Sequence, residues 1–467
     1  MTLAPELPHP APVARPGWGE RITGRLRSFG SATSKRIIGV DVARGLAVLG
    51  MFGAHVGVTE RFDWANPETW SDVVNGRSSI LFALLAGVSI AIISGRTEPL
   101  DGVELVRARI RIFTRAVLIF AIGGLLEYLG TGVAVILPTY AALFVLSIPF
   151  LRWKPRPLFV LAGAIAVAMP FLISFRPDVI WGESGSLGGG VIIDLLVTGV
   201  YPGLIWIAFV LTGLALGRLD LRAIRVQVWL VLIGLVLAVV GYGLGSIGDA
   251  VLGANGGSSS SSSSSSYSGT YVPSEGIEYD TVPGEDVDLS GLRCETTAPD
   301  EYYCYDPEAM VDDEGMLDDE SSLPEEEKVS DDWANYFDYS YHWTARAHSG
   351  SPFEVVGSTG FAMLVLGLSL LVTRRRAIRW VLYPVASVGA MALTAYSVHI
   401  LAIAILGDKV YEARDNYYWI DFTVSALVAC TVWTILVGRG PLEQMLTRIS
   451  HGAANVARAT PSKDTHE

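Results

Sequence analysis

One apolar run of this chain, IIGVDVARGLAVLGMFGAHVGV (37–58), contains an aspartate, an arginine and a histidine. A helix turns about 100° per residue, so Arg44 and His55 fall on one face, roughly 16 Å apart along the axis. Asp41, three residues before Arg44, shares that face. Histidine is the usual proton acceptor near neutral pH, and it can also carry an acyl group. An arginine fork stabilises an oxyanion or holds a phosphate, and a neighbouring carboxylate keeps the fork oriented. Ionised groups in a membrane are costly unless they pair or face a wet cavity. Asp41, Arg44 and His55 therefore read either as a structural ion pair with a histidine reaching the interface, or as catalytic candidates on one polar stripe lining a cavity between the two sides of a membrane.

Other polar residues stand at the edges of apolar runs. Arg77 begins the second run, Glu127 ends the third and Asp421 opens the tenth. His399 lies inside the ninth; of the seven histidines, only it and His55 fall within apolar runs. Arg77, Glu127, His399 and Asp421 are the substrate-binding candidates. Arg109, Arg111 and Arg115 in ARIRIFTRAV form a basic cluster whose forks suit phosphate. Cys294 and Cys304 bracket ETTAPDEYY and can form a short-loop disulfide in an oxidising space, whereas Cys430 sits in an apolar run. The chain has no CxxC and no HxxxH, so no metal site is expected.

The elements that must position these residues are membrane helices. Of 467 residues, 51 % are hydrophobic and only 17 % charged, against about a quarter charged in soluble proteins. Ten apolar runs are long enough to read as spans: about 37–58, 79–95, 110–129, 132–151, 157–175, 201–217, 226–248, 354–373, 380–406 and 417–438. VIIDLLVTGVYP (191–202) reads as an interfacial or re-entrant piece. The net charge of −13 is unevenly spread. Between Glu275 and Arg346, 23 acidic residues face three basic ones, leaving the rest of the chain at +7. Nine consecutive serines, Ser258 to Ser266, precede that acid. Low hydrophobicity with high charge cannot bury a core, so this insert is expected to be largely disordered.

Basic residues precede the first span and follow spans two, four, six and eight. Both termini are then expected in the cytoplasm and the insert outside. The expected fold is an all-α polytopic membrane bundle of about ten helices. Its parts are a disordered cytoplasmic tail (1–36), helices one to seven as the catalytic core (37–248), the acidic extracytoplasmic loop (249–353), helices eight to ten (354–440) and a second cytoplasmic tail (441–467).

RGLAVLGMFGAH, an arginine and a histidine separated by ten residues, resembles the signature of the acyltransferase type three membrane enzymes. With RIIGVDVARG before it, NGRSSILFALLAGVSIAI and RARIRIFTRAVLIF, the chain looks closer to the heparan-alpha-glucosaminide N-acetyltransferase family and its bacterial relatives. VGAMALTAYSVHIL and GRGPLEQMLTR are similar to the ends of those relatives. The resemblance covers most of the membrane body and not the acidic insert. It implies transfer of an acyl group, commonly acetyl, from cytoplasmic acyl-CoA to a hydroxyl or amine of an envelope glycan or glycolipid. It gives His55 the chemical role, Arg44 a place in the same channel and the arginine cluster the acyl-CoA phosphates. The lysosomal member carries its acylated histidine in the loop after the first span. TERFDWANPETW stands there in this chain and has no histidine, so the likeness carries to the Arg–His motif alone.

The implied setting is a bacterial plasma membrane, with the lipid bilayer and an envelope acceptor as partners, no nucleic acid and no metal. Homo-oligomerisation is left open. A different function class also fits a polar stripe: an exporter of an envelope precursor. Dependence of thioester cleavage on His55 separates the two.

Overall fold

The computed structural model describes residues 19–20, 23–24, 36–58, 64–173, 190–255, 293–298, 301–305, 342–407, 409–412 and 416–456. The expected N-terminal tail and most of the acidic loop lie outside the described residues. Two units are present, Met1–Thr270 with Asp338–Glu467, and Tyr271–Phe337. In the second unit two strands are described, β1 (Arg293–Ala298) and β2 (Glu301–Tyr305). They pair antiparallel with Cys294 opposite Cys304. Two paired strands thus occur within the acidic insert.

The first unit is an all-α helix bundle. Its helices are α1 (Ile38–Val56), α2 (Arg77–Ile93), α3 (Gly102–Glu127), α4 (Leu137–Ser147), α5 (Pro155–Ile173), α6 (Gly203–Gly217), α7 (Ile224–Asn255) and α8 (Pro352–Val372). Then follow α9 (Arg376–Val381), α10 (Tyr383–Ala390), α11 (Ala392–Leu406), α12 (Tyr417–Leu436) and α13 (Pro441–Val456). All ten predicted spans are helical. Among the described residues six helices are long and apolar enough to cross a membrane, seven if α10 and α11 count as one bent span.

Contacts at the helix ends show that the segments alternate in direction. Arg218, just past α6, donates to the carbonyls of Ser94 (3.1 Å) and Arg96 (2.8 Å), to Ser94 Oγ (2.9 Å) and to the Leu151 carbonyl. The C-terminal ends of α2, α6 and the one-turn extension of α4 therefore meet on one face. A buried cation there satisfies carbonyls that a helix end leaves free, at the negative end of the helix dipoles. On the opposite face, the α3–α4 loop receives hydrogen bonds from Tyr201 before α6 (3.3 Å) and Tyr411 after α11 (2.7 Å). Val58 N–H, after α1, bonds Asn416 Oδ1 before α12 at 3.0 Å.

Several boundaries differ from the sequence reading. α3 begins at Gly102, not near 110, because its amphipathic first turns bury Leu105 and Ala108 and carry an Arg107–Glu104 ion pair. α7 continues to Asn255. The ninth span is broken: α10 and α11 meet at Met391 with an 84° bend. Residues 191–202 hold a one-turn helix (Gly190–Ile193) and a π turn (Asp194–Thr198), short of a span as expected. The segment taken as a C-terminal tail contains α13, which packs on α3 and α11. α8 opens on a serine N-cap: Ser351 Oγ accepts the Glu354 N–H at 3.0 Å. The buried Glu354 carboxylate accepts the N–H groups of His348 (2.7 Å) and Gly350 (2.6 Å).

Candidate functional site

α1 enters the core with no room beside it. A methyl group on Gly45 would overlap the Val385 carbonyl of α10, and one on Gly389 would overlap the Asp41 carbonyl. This backbone contact brings Arg44 to α10. Its Nη1 donates to Asp41 Oδ1 and to the Gly389 carbonyl, each at 3.3 Å, and Nη2 donates to Ser89 Oγ on α2 at 2.9 Å. The Ser89 hydroxyl donates to the Leu85 carbonyl at 2.8 Å, which leaves its oxygen free to accept from Arg44. Asp41 also pairs with Arg36 at 3.5 Å. Arg44 thus ties three helices together, and the expected Asp41–Arg44 pair is present.

Above Arg44 lies a largely apolar cavity of about 140 Å³ between α1, α2, α3, α4, α11 and α13. Arg44, Ser89 and Glu443 line its polar end; Met51, Phe82, Tyr140 and Tyr396 line the rest. Glu443 belongs to α13. Its carboxylate accepts the Thr394 N–H (3.0 Å) and hydroxyl (2.6 Å) in the first turn of α11. Thr394 Oγ1 in turn accepts the Leu442 N–H at 3.3 Å. The bend at Met391 leaves the α11 N-terminus without a preceding turn, and α13 supplies the missing partners.

His55 sits one side chain beyond the cavity. Its ring lies 5.9 Å from that of Tyr396, a cavity wall residue, and 5.4 Å from that of His399, nearly parallel at 16°. Phe52 stacks on His399 at 4.1 Å, and Phe422 of α12 meets it edge-on at 4.8 Å. His399 is 3 % exposed. Among the described residues, no group bonds His399 Nδ1 or Nε2, or His55 Nδ1. Between Arg44 and His55, Val48 and Phe52 are buried against neighbours. The predicted continuous polar stripe is therefore two polar stations separated by packed apolar side chains.

The remaining candidates divide. Arg77 is turned to α7, its guanidinium 4.7 Å from the Tyr242 ring centre, and it bonds the carbonyls of Asp72 (2.9 Å) and Val73 (3.1 Å). Asp421 is exposed on α12, while its neighbour Phe422 faces His399. Neither stands in the cavity wall. Glu127 is exposed at the end of α3, and Arg109 is exposed nearer its start. Arg111 and Arg115 lie on the α3 side that meets α13, where Arg115 Nε reaches Ser450 Oγ at 3.4 Å. His451 on α13 is held below its usual imidazole range, first by partial burial and then by the charges of Arg111, Arg115 and Arg439. Cys294 and Cys304 are paired in backbone register. Among the described residues no cluster of three or more His, Cys, Asp and Glu suits a metal.

Sequence reasoning missed Ser89, Tyr396, Arg439 and all of α13. For α13 the signal was present: Leu442, Met445, Leu446, Ile449 and Ala453 recur at helical spacing.

Residues 36–242 match the family model described as "Heparan-alpha-glucosaminide N-acetyltransferase, catalytic". Residues 334–453 match "Protein of unknown function (DUF418)". No curated protein and no solved structure matches the chain. The resemblance read from RGLAVLGMFGAH and its surroundings thus holds. From α1 into α7 the chain is similar to that catalytic domain, and its long apolar helices are those of a membrane protein.

Proposed function

We propose that this member of the acetyltransferase-like membrane family moves an acetyl or other short acyl group from cytoplasmic acyl-CoA. The acceptor is a hydroxyl or amine of an extracytoplasmic glycan or glycolipid in a bacterial envelope. The observation that carries the proposal is the His55 imidazole, with no partner at Nδ1 among the described residues, next to the cavity wall residue Tyr396 and inside the catalytic-domain match. A cavity of about 150 Å³ holds a benzene-sized group. The one here, at about 140 Å³, accommodates a short acyl chain and leaves the nucleotide of CoA outside. Arg111, Arg115 and Arg439, whose charges all act on His451, then hold the CoA phosphates.

In the reaction the acceptor oxygen or nitrogen attacks the thioester carbonyl while His55 takes its proton. The tetrahedral intermediate collapses, the C–S bond breaks, and the proton passes to the departing thiolate. Products are the acylated acceptor and free CoA. The inner-face placement of Arg111, Arg115 and α13, with basic residues in the loops of that face, supports cytoplasmic donor binding and cytoplasmic termini.

The test is CoA release by purified protein in lipid nanodiscs, given acetyl-CoA and extracted envelope glycolipid. General acid–base assistance contributes about 10²–10⁴-fold. His55→Ala should therefore lower CoA release by at least about 100-fold while acetyl-CoA binding, followed by calorimetry, persists. Wild-type protein that binds no acyl-CoA would remove the enzyme reading.

A further inference from the structure

The region matched only to a model of unknown function, 334–453, supplies one wall of the proposed site. Leu393, Tyr396, Glu443 and Leu446 of that region line the cavity, and His399 stands against His55. Buried polar atoms are almost always hydrogen-bonded, so three unpartnered imidazole nitrogens in one place need a reason. Among the described residues neither ring supplies the other's missing partner: His399 bonds through neither nitrogen, although His55 lies 5.4 Å away. Phe52, stacked at 23°, and Phe422, edge-on at 88°, fix the His399 plane. Apolar packing on both sides gives His399 no structural hydrogen bond to make.

We infer that the 334–453 region completes the reacting centre: His399 binds the acceptor's nucleophilic hydroxyl or amine together with His55. One ring positions the nucleophile through a hydrogen bond, and the other takes the proton as the carbonyl is attacked. No co-reactant beyond acyl-CoA and acceptor is needed. This inference rests on the acyl-transfer reading. The titratable group facing the pair from α11 is Tyr396; Glu127 stands at the end of α3, Asp421 is turned outward on α12, and Arg44 lies about three turns away along α1.

The experiment compares wild type, His399→Ala and His399→Gln in nanodiscs, each first checked for a monodisperse profile. His399→Ala should lower kcat at least about tenfold with KM for acetyl-CoA unchanged, within the range of a lost acid–base or positioning group. Two imidazoles that must both be neutral give a limiting slope of two on the acid limb of log kcat/KM. His399→Gln should retain part of the activity, reduce that slope to one and survive any folding failure of the alanine variant. A kcat within twofold of wild type, or an unchanged slope, overturns the inference. If wild type itself transfers nothing, the acyl-transfer reading fails separately. The pair is then judged by imidazole ¹⁵N resonances on addition of envelope glycolipid. Joint movement of the His55 and His399 signals supports it, and movement of neither overturns it.

Discussion

At the residue scale, Arg44 and His55 were legible because ionisable side chains in an apolar run are rare and their spacing fixes their face. What lies opposite them was not. His399 is 344 residues from His55, and no local pattern connects them. Ser89 was hidden for a similar reason, since a serine inside a helix ordinarily bonds its own carbonyl, as Ser89 does with Leu85. Arg77 and Asp421 were drawn to the cavity by position along their helices. Rotation about the axis placed one against Tyr242 and the other in the exposed face. Arg44 divides its fork among Asp41, Gly389 and Ser89. A lysine reaches one such partner, so Arg44→Lys should cost about 1–3 kcal/mol through buried groups left unbonded. Arg36, whose side chain is 57 % exposed, should matter by less than about 1 kcal/mol when changed to alanine. Thermal unfolding in detergent reads both; equal shifts for the two variants would contradict the clamp.

At the element scale, all ten helical segments could be placed from hydropathy, but their interruptions could not. Nothing in VGAMALTAYSVHIL announces an 84° break, since Gly389 is required by contact with α1 rather than by the bend itself. The break creates a helix N-terminus, and that terminus needs partners. Glu443 and Thr394 meet this need by capping each other's helices. α13 is therefore structural to the cavity as well as amphipathic. Glu443→Ala should cost about 0.5–2 kcal/mol, the range for a lost helix cap. Hydrogen–deuterium exchange should then accelerate in peptides spanning both 392–396 and 441–446. Faster exchange in only one of them would mean that the two caps are independent.

At the scale of the whole molecule, charge distribution separates an acidic insert (275–346) from a basic membrane body, and Tyr271–Phe337 forms a separate unit. Composition could not foretell β1 and β2, because a short hairpin needs only local pairing and no core. Their register sets Cys294 opposite Cys304, which favours a cross-strand disulfide in an oxidising compartment. Non-reducing peptide mapping of protein from its native membrane should recover the two joined. Two free thiols would argue against the bond or against the outside placement of the insert.

Arg218 has a consequence in time as well as in space. The carbonyls of Ser94, Arg96 and Leu151 are made long before the guanidinium that satisfies them. A ribosome must add 67 further residues after Leu151, and 124 after Ser94, before their common donor exists. The C-terminal ends of α2 and of the α4 extension are therefore synthesised before their common latch, and Arg218, just past α6, fastens them. The satisfaction of those carbonyls is thus a late event in synthesis, set by where one arginine falls in the chain.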